Sequence, residues 1–173
     1  SKSAIENNIC GIDINDESIQ ITKLSLFLKI ASKGKKLITF NNLKTANSLT
    51  VNWEKEFPDV FASKTNPGFD CIVGNPPYVR QEEIQDKDKM QLPDPNTLGP
   101  DNFVIPSKSD LSSYFYYCGL HYLKDNGLLG YIASDSWLNK GYGRKLQETI
   151  LANCIIGLLF KTQFNVFEAA DTK

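Results

Sequence analysis

Ten residues near the middle of the chain, Phe69-Asp70-Cys71-Ile72-Val73-Gly74-Asn75-Pro76-Pro77-Tyr78, limit its fold more than any other stretch. Cys71, Ile72 and Val73 are an unbroken apolar run, the pattern of a short parallel strand covered on both faces. Pro76 and Pro77 fix their own φ and push the residues before them into extended conformations. Asn75 and Tyr78 are thereby predicted on a stiff loop at the carboxyl end of a strand. In open α/β sheets ligands bind at that end.

A chemistry that suits this arrangement is methyl transfer to an amino group conjugated with a ring or carbonyl. Such a nitrogen is a poor nucleophile because its lone pair is delocalised. The Asn75 side-chain oxygen and the Pro76 carbonyl can both accept hydrogen bonds from one NH2 group, which favours a tetrahedral nitrogen. Positive charge grows on that nitrogen during attack, so acceptors already in place act most strongly in the transition state. Tyr78 offers a flat face for the ring. The plainer alternative is a Pro-Pro turn capping a strand, with Tyr78 in the core.

The remaining chemistry is sparse. At 173 residues the chain is long enough for one domain with a core, and its formal net charge of −1 carries no broad basic field for nucleic acid. No apolar stretch is long enough to span a bilayer, and Ser1 does not open a signal-peptide pattern. The cysteines at 10, 71, 118 and 154 lack metal-ligand spacing and read as reduced, buried thiols of a cytoplasmic protein. The single histidine, His121, lies among Leu120, Tyr122 and Leu123 and reads as packing.

Ile9-Cys10-Gly11-Ile12-Asp13 is predicted as a buried strand ending in a carboxylate. Asn15 is placed to cap a following helix whose apolar face is Leu24, Phe27, Leu28 and Ala31, with Gly34 as its stop. A strand tipped by an acid and followed by a helix is half of a nucleotide-binding unit, in which the carboxylate accepts from ribose hydroxyls. Asp13 could equally start a turn with Asn15 and Asp16. A strand follows at Leu37 to Phe40 or at Leu43 to Thr45, leading to Asn47, which also suits a plain Asx turn. Residues 80–108 are polar, mixed in charge and punctuated by Pro93, Pro95, Gly99, Pro100 and Pro106, the character of a lid, a binding loop or a solvated connection.

Asp110 is a natural N-cap for a helix running through Leu120, Leu123 and Lys124, ended by Asn126-Gly127 and followed by a strand from Leu128 to Ala133. Ser134 to Leu138 forms its tip. Lys140 and Arg144, near a second helix at Lys145 to Leu151, suit either phosphate contact or a solvated helix start. Ile155 to Phe160 is predicted as a further strand.

Asn75-Pro76-Pro77-Tyr78 resembles the catalytic motif of adenine-N6 DNA methyltransferases. With Val79-Arg80-Gln81-Glu82-Glu83-Ile84 after it, the segment is most similar to the gamma, TaqI-methylase-like class, which includes the modification half of fused restriction–modification enzymes. The tetrapeptide also serves RNA guanine-N2 and protein glutamine-N5 methyltransferases, so these substrates stay open. The resemblance implies an incomplete Rossmann-like α/β fold over residues 1–173, with S-adenosylmethionine as cofactor and double-stranded DNA as substrate. Asp13 then matches the ribose-binding acid, and Asn47 the acceptor for the cofactor's adenine amino group. Asp110-Leu111-Ser112-Ser113-Tyr114-Phe115 resembles an Asp-Leu-Tyr-x-x-Phe element beside the cofactor and target pockets, with Ser112 in place of the aromatic residue. Phe167 matches a ring facing the flipped adenine opposite Tyr78.

Such enzymes carry a glycine-rich cofactor loop one strand before Asp13, whereas residues 1–8 contain no glycine. The chain is therefore expected to be a fragment without that first strand and without the last one. A target-recognition domain is expected outside it, and whether a nuclease is attached stays open. Unpaired sheet edges at Ile9–Asp13 and Phe69–Gly74 should pair directly, self-associate or leave the fold partly native. A catalytically inactive scaffold is the alternative for the isolated piece.

Overall fold

The computed structural model describes residues 2–30, 40–84, 92, 105–106 and 108–162. They form two compact units, Ser1–Lys64 and Thr65–Lys173.

In the first unit, helix α1 (Lys2–Asn8) leads into strand β1 (Gly11–Asp13), helix α2 (Asp16–Ile30), strand β2 (Leu43–Thr45) and the short helix α3 (Trp53–Glu56). β1 and β2 pair in parallel, with Gly11 opposite Leu43 and Asp13 opposite Thr45. A parallel pair needs a crossover, and α2 supplies it. As expected, Asn15 opens α2, its Oδ1 accepting from the Ser18 backbone N–H at 3.2 Å.

The face that α2 buries differs from the one expected. Ile19 is buried with Phe40 and Leu43, and Leu26, Phe27 and Ile30 pack against them, whereas Leu24 and Leu28 are 57% and 64% exposed. A helix turns 100° per residue, so a core seeded at Ile19 takes 26, 27 and 30 and turns 24 and 28 away. Burying each of the three central side chains contributes about 1.5–3 kcal/mol. Ala31, Gly34 and the strand option at Leu37 lie outside the described residues, and β2 takes the Leu43–Thr45 option. Asn42 joins the ends of this unit, its Nδ2 donating to the carbonyls of Ile5 and Ile9.

The second unit holds strand β3 (Phe69–Gly74), helix α4 (Leu111–Tyr122), strand β4 (Leu123–Tyr131), helix α5 (Ser136–Asn139) and helix α6 (Gly143–Asn153), with a 3-10 turn at Gln81–Glu83. β3 and β4 are again parallel. Both units are thus strand–helix–strand crossovers, an incomplete α/β arrangement of short parallel strands.

Three expectations fail here. β3 forms where predicted but is not covered: Val73 is 77% exposed and Cys71 is exposed, so neither is buried as its apolar character suggested. β4 begins at Leu123, not Leu128, because Phe69 pairs with Leu123 before the register jumps to Cys71 opposite Leu128. The intervening residues, with Asn126 at φ 63°, bulge within the strand. Asn66 braces the bulge by donating to the Asp125 carbonyl at 3.3 Å and accepting from its N–H at 2.8 Å. Gly68 sits at φ 123°, where a Cβ would lie 2.7 Å from the Tyr122 carbonyl, so the helix must stop there to let β3 pass. The third failure is Ile155 to Phe160, which forms no strand: Ile155 is 99% and Phe160 78% exposed.

Among the described residues the strands form two two-stranded sheets, β1 with β2 and β3 with β4. No described helix is long and apolar enough to cross a membrane. All four cysteines are free thiols, but only Cys118 is buried, and burial pushes its pKa up to about 12. His121 is exposed at the end of α4 and meets the Tyr122 ring edge-on, rather than filling the core.

Candidate active site

The loop after β3 leaves the sheet at Gly74, whose carbonyl accepts from the Ile132 N–H at 3.1 Å, the rung beyond Tyr131 on the neighbouring strand. Pro76 is buried, while Asn75, Pro77 and Tyr78 face solvent. The Tyr78 hydroxyl donates to Asn75 Oδ1 at 3.3 Å, a long bond that an incoming amino group can replace. The amide and the ring therefore project together from a loop fixed in its middle by the buried proline. Tyr78 stands 36% exposed and is not the core residue of the plainer alternative.

Behind the loop lies an aromatic group. The Tyr116 ring is 5.3 Å from Tyr131 and 5.4 Å from Trp137, in edge and tilted geometries. Burial raises the pKa of Tyr116; a hydrogen bond with Trp137 lowers it and the neighbouring Tyr78 raises it. Burial also pushes the Tyr131 phenol up, and its hydroxyl donates to the Phe115 carbonyl at 3.2 Å. These phenols stay neutral at any working pH and act as donors and surfaces, not as bases.

Asp110 begins α4 but does not cap it with its side chain. The carboxylate is 5% exposed; Oδ1 accepts from the Gln81 N–H at 3.2 Å and Oδ2 from the Tyr142 hydroxyl. Burial is the main cause that pushes the Tyr142 pKa up, followed by its hydrogen bond to Asp110. Gln81, Asp110 and Tyr142 line a cavity of about 450 Å³, together with Lys108 and Lys140. Lys140 therefore faces this cavity, whereas Arg144 pairs with Glu148 at 3.3 Å along α6. Tyr142 had no signal of its own in the sequence: its partner is 32 residues away and no local spacing joins them.

Asp13 and Asn47 lie in the other unit, at the carboxyl ends of the neighbouring strands β1 and β2. The Asp13 carbonyl accepts from Ala46 N–H at 3.0 Å, which brings the two together. Both also show the turn geometry that was the simpler alternative. Asp13 Oδ1 accepts from Asn15 N–H at 2.8 Å, and Asn47 Oδ1 accepts from Leu49 N–H at 3.0 Å. Each oxygen keeps a second lone pair, and Asp13 keeps its other carboxylate oxygen, so acceptors remain for a ligand. Asp16, read from the sequence only as part of a turn, accepts from the Thr45 hydroxyl at 2.8 Å and holds the start of α2 against β2. Phe167 lies outside the described residues, as does most of 80–108. No group of three or more metal-ligating side chains occurs among the described residues.

The chain belongs to the Eco57I restriction-modification methylase family, whose model matches residues 7–167. It is 40% identical over 85 residues to the type II methyltransferase M.BstVI of Geobacillus stearothermophilus, covering 49% of this chain and 14% of that protein. It is 23% identical over 154 residues to the type II methyltransferase M.VspI of a Vibrio species, covering 88% of this chain and 31% of that one. A third relative is the type II restriction enzyme and methyltransferase RM.Eco57I of Escherichia coli, 30% identical over 125 residues, with 65% of this chain and 11% of that protein covered. The chain spans less than a third of the length of these relatives.

Proposed function

We propose that the complete protein transfers a methyl group from S-adenosylmethionine to the exocyclic amino group of adenine in double-stranded DNA, within a restriction–modification system. The observation that carries this reading is the solvent-facing Asn75 amide beside Tyr78 on a loop whose Pro76 is buried. Membership of the methylase family supports it, as does a set of type II methyltransferase relatives. The two parallel crossovers are read as parts of a Rossmann-like fold.

S-adenosylmethionine supplies a methyl group on a positively charged sulfur. The acceptors at the β1 and β2 tips suit the hydroxyl and amino groups of an adenosine, so Asp13 would hold the ribose and Asn47 the cofactor's adenine. Asn75 Oδ1 and the Pro76 carbonyl accept from the target NH2 and turn its lone pair out of conjugation. Tyr78 gives up its bond to Asn75 and offers its ring to the target base, and Phe167 is assigned the opposite face. Stacking returns roughly 1–3 kcal/mol per ring, against an unstacking cost of a few kcal/mol. The methylated nitrogen is cationic and acidic, so water takes its proton and no strong base is required. This reading assigns the protein to the cytoplasm, with target recognition by a further domain.

Asp13→Ala is expected to raise the Kd for S-adenosylmethionine by at least about tenfold, since a hydrogen bond to a charged acceptor is worth roughly 1.5–3 kcal/mol. Isothermal titration on the complete protein checks this; an unchanged Kd would remove Asp13 from the site. The reading as a whole is tested with methyl-labelled cofactor and duplex DNA, followed by digestion to nucleosides. Label in N6-methyldeoxyadenosine is the expected result. Cofactor binding without label in DNA would redirect the substrate to RNA or protein, and no cofactor binding would leave a scaffold.

A further inference from the structure

We propose that Tyr142 and Asp110 are positioning residues that hold the Asn75–Tyr78 loop in its working shape, acting through Gln81; the proposal rests on the function given above. A loop stiffened by two prolines can still swing as a whole about its ends. One end is fixed at Gly74 by the Ile132 N–H, at 3.1 Å. The other leaves Tyr78 through Val79, whose carbonyl accepts from the Leu111 N–H at 3.1 Å, and then meets Asp110 through the Gln81 N–H at 3.2 Å. Asp110 thus lies between the loop and α4, and its second oxygen is committed to Tyr142.

Tyr142 is itself held firmly. The next residue, Gly143, packs so closely on Trp137 that a Cβ would lie 1.8 Å from the Trp137 carbonyl oxygen. Gln147 Nε2 donates to that same carbonyl at 2.8 Å and to the Leu138 carbonyl at 3.2 Å. The Trp137 ring in turn packs on Tyr116, behind the loop. A buried carboxylate with both oxygens engaged by donors from two separate elements has one low-energy orientation. That orientation sets where Gln81, and so Tyr78, can stand. Displacing a reacting group by about 1 Å costs on the order of 10²-fold in rate, so a clamp of this kind acts on turnover more than on binding.

In the complete protein, Tyr142→Phe should lower kcat for DNA methylation about tenfold, leaving the cofactor Kd and the KM for DNA within twofold. Asp110→Ala should lower kcat by roughly 10²-fold, and adding Tyr142→Phe to it should cost nothing more, because the two act as one unit. Asp110→Asn keeps an acceptor for the Gln81 N–H and should restore most of the lost rate. Hydrogen exchange gives a readout independent of activity: peptides covering 78–84 should exchange at least tenfold faster in Tyr142→Phe, with the unfolding midpoint unchanged. If the wild-type protein methylates no adenine, the proposed function fails while the exchange experiment still tests the clamp. Additive rate losses, or unchanged exchange at 78–84, would overturn the clamp; so would a Tyr142→Phe effect confined to KM. Should Tyr142→Phe not fold, failure of Asp110→Asn to outperform Asp110→Ala would also overturn it.

Discussion

Replacing Asn75 by alanine is expected to lower methyl transfer by the complete protein roughly 10²–10³-fold, the usual loss when one preplaced hydrogen-bonding group is removed from a developing charge. That corresponds to about 3–4 kcal/mol of transition-state stabilisation. The effect should fall on kcat, because the acceptor matters most once the nitrogen carries positive charge. Cofactor affinity should change less than threefold, since Asn75 follows β3, whereas the proposed cofactor residues Asp13 and Asn47 stand at the ends of β1 and β2. The substitution removes an exposed side chain whose side-chain hydrogen bond among the described residues is to Tyr78 at 3.3 Å, so the fold should tolerate it. Single-turnover kinetics on duplex DNA decide the matter. A rate within tenfold of wild type would show that the Pro76 carbonyl suffices and that Asn75 is not the principal acceptor.

The largest expected loss of stability comes from a single methyl group. In Gly143→Ala the new Cβ would fall 1.8 Å from the Trp137 carbonyl oxygen and 2.5 Å from its carbon. Both are backbone atoms at the start of α5, and Gln147 already holds that carbonyl, so neither can yield cheaply. Overpacking typically costs 1–3 kcal/mol and sometimes more; a clash with backbone belongs at the upper end, about 3 kcal/mol. Gly141→Ala is the matched control. A Cβ there meets nothing within 4 Å and the residue has no positive φ, so stability should hold or rise by about 0.4–1 kcal/mol. Urea unfolding of the two variants beside the wild type separates them. Equal midpoints for Gly143→Ala and wild type would show that α5 and α6 shift apart without penalty.

How far the sequence could be read depended on whether a residue's role was local. The strand ends at Asp13 and Gly74, the Asn15 cap and the start of α4 were legible because each is set by its immediate neighbours. The apolar run at Ile155 to Phe160 has strand character but no strand partner among the described residues, and a strand exists only through its neighbour's hydrogen bonds. Val73 faces solvent for a different reason: its strand is paired with β4, but a neighbour in the sheet does not cover its face. β4 began early because Gly68, more than fifty residues upstream, packs against the end of α4. In the candidate site, the Asn75–Tyr78 loop declared itself, since prolines impose shape on their own neighbours. The Asp110–Tyr142 contact did not, because Asp110 at a helix start looks like an ordinary cap.

The prolines have one more effect, on how the protein ages. An asparagine side chain turns into an aspartate when the backbone nitrogen that follows it loses its proton and attacks the amide. Pro76 has no such proton, and neither has Pro67. Asn75 on the loop after β3 and Asn66 at the β4 bulge are therefore closed to that decay. Asn126, exposed at φ 63° and followed by Gly127, has no such protection. The residue pair that stiffens the loop also keeps its amide an amide, so the clock of chemical wear runs at the bulge and not at the strand tip.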